Sequence, residues 1–283
     1  MVIVLFMKSI IPDNIRIIAL DLDDTLLRSD LSISARTRDI VRRIQAMGIT
    51  VVLASGRIPE AMEKYARFLG LHRNPGYLIS NNGALIQESD TGTVVYESLL
   101  DRHTIMSICD LAEAEGLPLQ MYADNITYIS KKNDFSAIDE NYTGLRQVVV
   151  ENFRDLAVEG CYELTIPGDP VLLESVKTMI ETYLEVKISM FISRKYFLQI
   201  TPDKTDKGTA LEKITGILKF DESEVMAFGD SMNDESMLNW AGFGIAMANG
   251  NVKLKEIANM VTDLSNDEDG VADFIEKNFF GLS

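Results

Sequence analysis

The sequence predicts an α/β protein: a Rossmann-like parallel-sheet core interrupted by an inserted α+β domain. Three observations carry this reading. Continuous β-branched and aliphatic runs at 15–20, 49–54, 77–80 and 225–228 each stop at a polar turn. Strands buried on both faces of a parallel sheet read this way. Helical patterns separate the runs at the rhythm of βαβ units, which implies right-handed crossovers. Between about 87 and 201 the strands alternate polar and apolar instead, as an antiparallel sheet covered on one face does. The expected division is therefore a core of 1–86 and 202–283 around an inserted domain of 87–201.

The elements follow in order. The first strand, 15–20, has Arg16 as its one polar residue and breaks into Asp21, Asp23, Asp24 and Thr25. A helix at 35–47 carries Ile40, Val41 and Ile44 on one face and meets Gly48 as its C-cap. The strand 49–54 ends at Ser55-Gly56-Arg57, and Pro59 suits the first turn of a helix at 59–69. The strand 77–80 stops at Asn81-Asn82-Gly83. In the inserted segment a helix at 101–115 precedes strands at 119–122 and 126–130, and a less regular stretch follows. A strand at 162–166, a helix at 170–183 and strands at 186–192 and 196–200 complete it. The two helix-strand-strand units form a weak internal repeat. The βαβ rhythm then returns with a helix at 207–218, the strand 225–228 ending at Gly229-Asp230, a helix at 234–241 and a strand at 243–247. A helix at 252–258, a short strand at 260–262 and a helix at 269–278 close the chain.

Four sites at strand ends or helix starts carry candidate chemistry. Three carboxylates within four residues, Asp21, Asp23 and Asp24, repel one another. The turn can be a solvated N-cap, or Asp21 can be a nucleophile that forms a hard-cation site with Asp23, since Mg2+ takes oxygen ligands and few carboxylates. Ser55-Gly56 can be an ordinary turn or a phosphate site. Lys207 can be one more surface lysine, and Gly229-Asp230-Ser231-Met232-Asn233-Asp234 can be a polar helix cap. In an open α/β sheet all four point to the carboxyl edge, where ligands bind.

Their joint order resembles the four motifs of the haloacid dehalogenase superfamily, beginning with Asp21-x-Asp23-x-Thr25 and covering essentially the whole chain. The runs NNGALI at 81–86 and DKGTAL at 206–211 resemble the Cof-like (class IIB) phosphatases, whose C2-type cap lies between the second and third motifs. Asp24 stands where that family more often has Gly, and Ser231-Met232 fill a variable pair. The resemblance implies an Mg2+-dependent phosphatase acting on small phosphate monoesters, sugar phosphates or related metabolites, through an aspartyl phosphate on Asp21. Asp23 would be the general acid and base. Mg2+ would be held by Asp21, the Asp23 carbonyl and Asp230, and phosphate by Ser55, Lys207, Asn233 and the Leu22 and Gly56 amides. Asp234 would orient Lys207 or a metal-bound water, and the cap would select the substrate. Tyr122, Tyr128, Met190 and Phe191 are its candidate pocket residues.

Alternatives from other classes stay open. A phosphomutase shares the first half-reaction, whereas a receiver-like phosphoacceptor module or a noncatalytic binding protein needs neither the insertion nor Asp23. No G-x-G-x-x-G follows the first strand, which disfavours a dinucleotide-binding dehydrogenase. With 27 Lys and Arg against 43 acids, the net charge of −16 argues against nucleic acid or an anionic membrane as partner. An anionic substrate must instead meet a local positive site. Cys109 and Cys161 lack metal-ligand spacing, and His72 and His103 fall outside the motifs. The reduced pair and the lack of a long apolar segment make the cytoplasm the expected location. The apolar start at 1–6 reads as an extension or added strand before a start at Met7. The sequence leaves the oligomeric state and the particular ester open.

Overall fold

The computed structural model describes residues 14–158, 160–185, 187–193 and 195–281; the apolar start lies outside them. Strand β1 (Ile17–Asp21) runs into a tight turn, followed by α1 (Ala35–Ala46), β2 (Thr50–Ala54), α2 (Pro59–Leu69) and β3 (Tyr77–Ser80). A hairpin of β4 (Leu85–Glu88) and β5 (Val94–Glu97) leads to α3 (Arg102–Ala114), β6 (Gln120–Ala123), β7 (Ile126–Ile129), α4 (Asp134–Thr143) and β8 (Arg146–Val149). Next come β9 (Leu164–Pro167), α5 (Pro170–Tyr183), β10 (Ile188–Ser193) and β11 (Phe197–Pro202). The chain ends with α6 (Lys207–Leu218), β12 (Val225–Gly229), α7 (Glu235–Trp240), β13 (Phe243–Ala246), α8 (Val252–Ile257), β14 (Met260–Val261) and α9 (Gly270–Phe279).

The larger sheet has the order β14-β13-β12-β1-β2-β3-β4-β5, parallel from β14 to β3. Successive residues of β1 face opposite layers, which is why the strand reads as uninterruptedly apolar. Ile18 and Leu20 join α1, α2 and α9 through Val41, Met62, Leu69 and Ile275. Ile17 and Ala19 join α6, α7 and α8 through Leu211, Met237 and Leu254. The chain leaves β1 on one side for β2 and returns on the other at β12. The switch point therefore opens a crevice between the carboxyl ends of β1 and β12.

The expected boundary at residue 87 falls inside β4. Strands β4 and β5 extend the larger sheet as an antiparallel edge, so its pairing runs through Glu97. The smaller sheet has the order β10-β11-β9-β6-β7-β8. It is antiparallel as expected except at its far edge, where β7 and β8 run parallel. The connection between that pair is α4, and together they resolve the stretch that looked irregular. Both repeat units are present, α3-β6-β7 and α5-β10-β11. One face of this sheet is covered by α3 and α5, with Ile108 and Val176 packed on Leu164 and Leu198. Cys109 and Cys161 are free thiols in or beside this buried layer. The other face, which carries Tyr122, Thr165 and Gln199, turns toward the crevice.

Candidate active site

Asp21 is the last residue of β1, buried in the sheet register opposite Ala54. After it the backbone turns sharply, with Asp24 at φ 57° and ψ 8°. This left-handed conformation explains why the family more often has Gly there, and Asp is among the residues that tolerate it. The turn is tied to the returning half of the chain. Thr25 Oγ1 donates to Asp230 Oδ1 at 3.3 Å, and Asn249 Nδ2 donates to the Asp24 carbonyl at 2.7 Å.

Lys207 is wholly buried, so the surface-lysine reading fails. As the first residue of α6 it sits where the helix dipole disfavours a cation. Two carboxylates compensate: Nζ donates to Asp21 Oδ1 and to Asp234 Oδ1, each at 2.6 Å. Burial alone would depress its pKa, and the two carboxylates together outweigh that and raise it. Asp234 also accepts the Asp230 and Ser231 amides through Oδ2, at 3.0 and 3.1 Å. Both of its oxygens are thus engaged in holding the loop and Lys207. This folded-back loop needs Gly229, where a Cβ would lie 2.5 Å from that of Asp234. Replacing Lys207 with Met should destabilise the fold by about 3–5 kcal/mol, because Asp21 and Asp234 lose their shared cation inside the protein. A urea titration measures this, and an unchanged midpoint would contradict the role given to the buried pair.

Asp21, Asp230 and Asp234 bring carboxylate oxygens within 4.8 Å of one another. Burial first, then repulsion from Asp234, push Asp21 up to about 7 despite Lys207. Burial and the charge of Asp21 push Asp230 up to about 9. One lysine does not neutralise three carboxylates, two of them buried and Asp230 half-buried. With Asp234 committed, Asp21 and Asp230 are the acids available to a hard divalent cation, and the donor set fits one. Asp23 lies outside this cluster. Arg57 clasps its carboxylate in a bidentate pair, Nε to Oδ2 at 2.8 Å and Nη2 to Oδ1 at 2.7 Å. That leaves the main-chain carbonyl as what Asp23 can offer a cation.

Ser55 is buried at the end of β2, and its Oγ accepts the Arg57 amide at 3.2 Å. Asn233 follows Asp230 in the opposite wall. Leu22, the residue after Asp21, is buried, and Gly56 lies with Ser55 in the crevice wall. The sequence-predicted residues from the four motifs therefore gather at one sheet edge, joined by Lys207 from the start of α6. Lys207 and Arg57 at the sheet edge, with Lys177, Lys195 and Lys253 on the cavity lining, are local positive groups of the kind an acidic chain needs for an anion. In the sequence Arg57 and Asn82 are read only as members of motifs, without a role, and Glu163 is missed. Arg57 has a signal, since it directly follows Ser55-Gly56 at a strand end.

A cavity of about 820 Å3 joins this edge to the inner face of the smaller sheet. Asp21, Asp23 and Asp230 line one wall, and Tyr122, Glu163 and Phe191 the other. Met190 also lines it, whereas Tyr128 stands in register with Met121 on the opposite face of that sheet. Tyr122 donates to Asp139 Oδ1 at 3.1 Å. His72 and His103 are exposed and line no part of the cavity.

Residues 18–275 match the haloacid dehalogenase-like hydrolase family, and the chain belongs to it, in the Cof-like branch. As an enzyme it is a hydrolase of phosphoric monoesters. Among its relatives, YxeH of Bacillus subtilis (strain 168), a putative phosphatase, is 32% identical over 267 residues, covering 93% of this chain and 97% of its own. The 5-amino-6-(5-phospho-D-ribitylamino)uracil phosphatase YwtE of the same organism is 28% identical, covering 93% and 98%. A solved haloacid dehalogenase-like hydrolase from Bacteroides thetaiotaomicron superposes with a TM-score of 0.85 at 31% identity, over 93% of this chain and 99% of that one. No helix among the described residues is long and apolar enough to cross a membrane.

Proposed function

We propose that the chain is an Mg2+-dependent phosphatase that hydrolyses small phosphate monoesters through an aspartyl phosphate on Asp21. The observation that carries this reading is the pairing of Asp21, buried against Lys207, with Asp23, a second carboxylate held by Arg57 at the same crevice. On this reading one acid serves as the nucleophile and the other as the proton carrier. Asp21, the Asp23 carbonyl and Asp230 would hold Mg2+, which would supply positive charge opposite the transferring phosphoryl oxygens.

Asp21 attacks phosphorus, forming an Asp21–phosphate bond as the ester P–O bond breaks. For the first step Asp23 must part from Arg57 and take up a proton, which it then gives to the leaving alkoxide. Asp23 then takes a proton from water as that water attacks phosphorus, releasing inorganic phosphate and restoring Asp21. Ser55, Lys207, Asn233 and the Leu22 and Gly56 amides offer donors to the phosphoryl oxygens throughout. Their value lies in being fixed before charge develops. Asp234 orients Lys207.

The segment between β5 and α6 acts as the cap that selects the leaving group, since it supplies the second wall of the cavity. Polar side chains on the cavity wall, half-buried Tyr122 and Gln199 and buried Asp139 and Glu163, favour a leaving group with hydroxyl or amine donors, such as a sugar or a related metabolite. YwtE, named for a ribityl phosphate ester, has a substrate of that kind. Phosphate release from an aryl phosphate and from a panel of metabolite monoesters tests the reading. Chelation with EDTA should lower the rate by at least about 100-fold and added Mg2+ should restore it, with Ca2+ a poor substitute because its larger, looser shell fits the site badly. Full activity in EDTA would refute the metal's place in the reaction. A phosphomutase would instead return the phosphoryl group to the organic acceptor, and the panel would show no net phosphate.

A further inference from the structure

Glu163 is a buried carboxylate held by neutral donors. Its Oε1 accepts Thr165 Oγ1 at 3.0 Å and Gln199 Nε2 at 2.6 Å, and its Oε2 accepts Asn82 Nδ2 at 3.2 Å. The last bond crosses from the smaller sheet to the larger one. Asn82 in turn accepts Asn233 Nδ2 on its Oδ1 at 3.1 Å, and Asn233 Oδ1 accepts the Ser231 hydroxyl. The result is a line of amides from the cap wall to the loop after Asp230.

Asn82 is fixed for this position. Its backbone is left-handed, at φ 53°, a conformation Asn tolerates. Its amide donates to the Ser55 carbonyl at 3.1 Å. A Cβ on Gly56 would lie 2.9 Å from Asn82 Nδ2, so the side chain lies flat against the phosphate-side turn. An amide can be turned end over end at little steric cost, so sterics do not decide which end faces Asn233. Burial pushes the Glu163 carboxyl up to about 7, against the pull of its Gln199, Thr165 and Asn82 hydrogen bonds; the three donors already aimed at its two oxygens make it the acceptor, and so it decides.

We infer that Glu163 is a positioning residue: from the cap it sets the direction of the Asn82 amide, and through Asn82 that of Asn233 in the active-site loop. With Glu163 as terminal acceptor, Asn82 turns Nδ2 to the cap and Oδ1 to Asn233. Asn233 then commits one N–H to Asn82 and keeps the second for a phosphoryl oxygen. The line is complete only when the cap wall is seated, so cap position and donor orientation are coupled. A buried carboxylate without a cation is costly, and this role accounts for its presence. The inference rests on the reading of Asn233 as a phosphate donor.

Polarity gives the test a sign. Glu163→Gln keeps size, and because Thr165 and Gln199 both donate to the Oε1 position the carbonyl stays there and the N–H faces Asn82, so Asn82 and then Asn233 reverse. Asn82→Asp opposes two carboxylates. In the double variant the amide now on the cap donates and the carboxylate now at position 82 accepts, so the pair matches again. That carboxylate accepts from both neighbours, and Asn233 returns to its original direction. Each single change should lower kcat about 10–100-fold, as loss of a positioning partner does, with KM changed less than about threefold. The double variant should recover to within about fivefold of wild type. Additive losses would overturn the inference. So would a single-variant defect confined to KM, which would mean that Glu163 touches the leaving group instead. Side-chain amide NMR signals of Asn233 should move in E163Q and return in E163Q/N82D. If the wild type hydrolyses no ester, the proposed function fails, and these signals alone decide the relay: no movement in E163Q refutes it.

Discussion

Asp21→Asn should abolish phosphate release from every ester, a fall on the order of 10⁶-fold, the scale seen when an enzyme loses its nucleophile. The amide nitrogen is not nucleophilic, and its carbonyl cannot form a stable ester to phosphorus. The substitution is otherwise mild. Asn has the size of Asp and still accepts the Lys207 ammonium through its carbonyl, and Lys207 keeps Asp234 at 2.6 Å. It also removes one charge from a cluster in which burial and Asp234 already hold Asp21 near 7. The thermal midpoint should therefore not fall. Acid-quenched protein analysed by mass spectrometry should show label on wild-type Asp21 and none on the variant. Turnover within about 100-fold of wild type would exclude Asp21 as nucleophile.

The core was legible because a strand buried on both faces has no polar face to confuse the pattern. Ile17 to Leu20 read as apolar since alternate residues enter different layers. The strand-end residues were legible because Asp21, Ser55 and Asp230 break such runs abruptly. Two structural features were not. The hairpin of β4 and β5 edges the larger sheet with half-exposed strands, and its Tyr96 and Val95 look no different from the alternation of the next domain. Helix α4 has few apolar residues to set a period; its ends are set by a capping box of Asn133 and Ser136 and by left-handed Gly144. Capping is local chemistry that a hydrophobic pattern does not register.

The same distinction applies at the site. Residue types at strand ends announce carboxylates and a lysine, but not their partners. The resemblance pairs Asp234 with Lys207, but nothing in the sequence says that the lysine is buried between Asp21 and Asp234, 186 and 27 residues away. Nor does it say that Glu163, 81 residues from Asn82, reaches the turn that follows β3. Such pairings come from the topology, since the switch point brings β1 beside β12 and the cap returns over both.

Asp23→Asn should separate the two halves of the reaction. The nucleophile stays, and the main-chain carbonyl at position 23 is unchanged. The loss is one proton carrier, worth about 10²- to 10⁴-fold. An alkyl phosphate needs that proton as its alkoxide leaves, so the first step should fail. An activated aryl phosphate needs it far less, and Asp21 should still be phosphorylated. Water then lacks its base, so hydroxylamine-labile label should accumulate on Asp21, visible by mass spectrometry. The substitution also disturbs Arg57. In the native protein both Asp23 oxygens are held by that arginine, at 2.8 and 2.7 Å. The introduced amide keeps one acceptor and turns an N–H toward the guanidinium, so the arginine is released into the crevice. Arg57→Lys provides the control: it keeps Asp23 and a positive charge but loses the two-pronged grip. It should slow alkyl and aryl esters alike and accumulate no label. If Arg57→Lys reproduces the label, or Asp23→Asn turns over activated esters at the wild-type rate, the proton does not travel through Asp23.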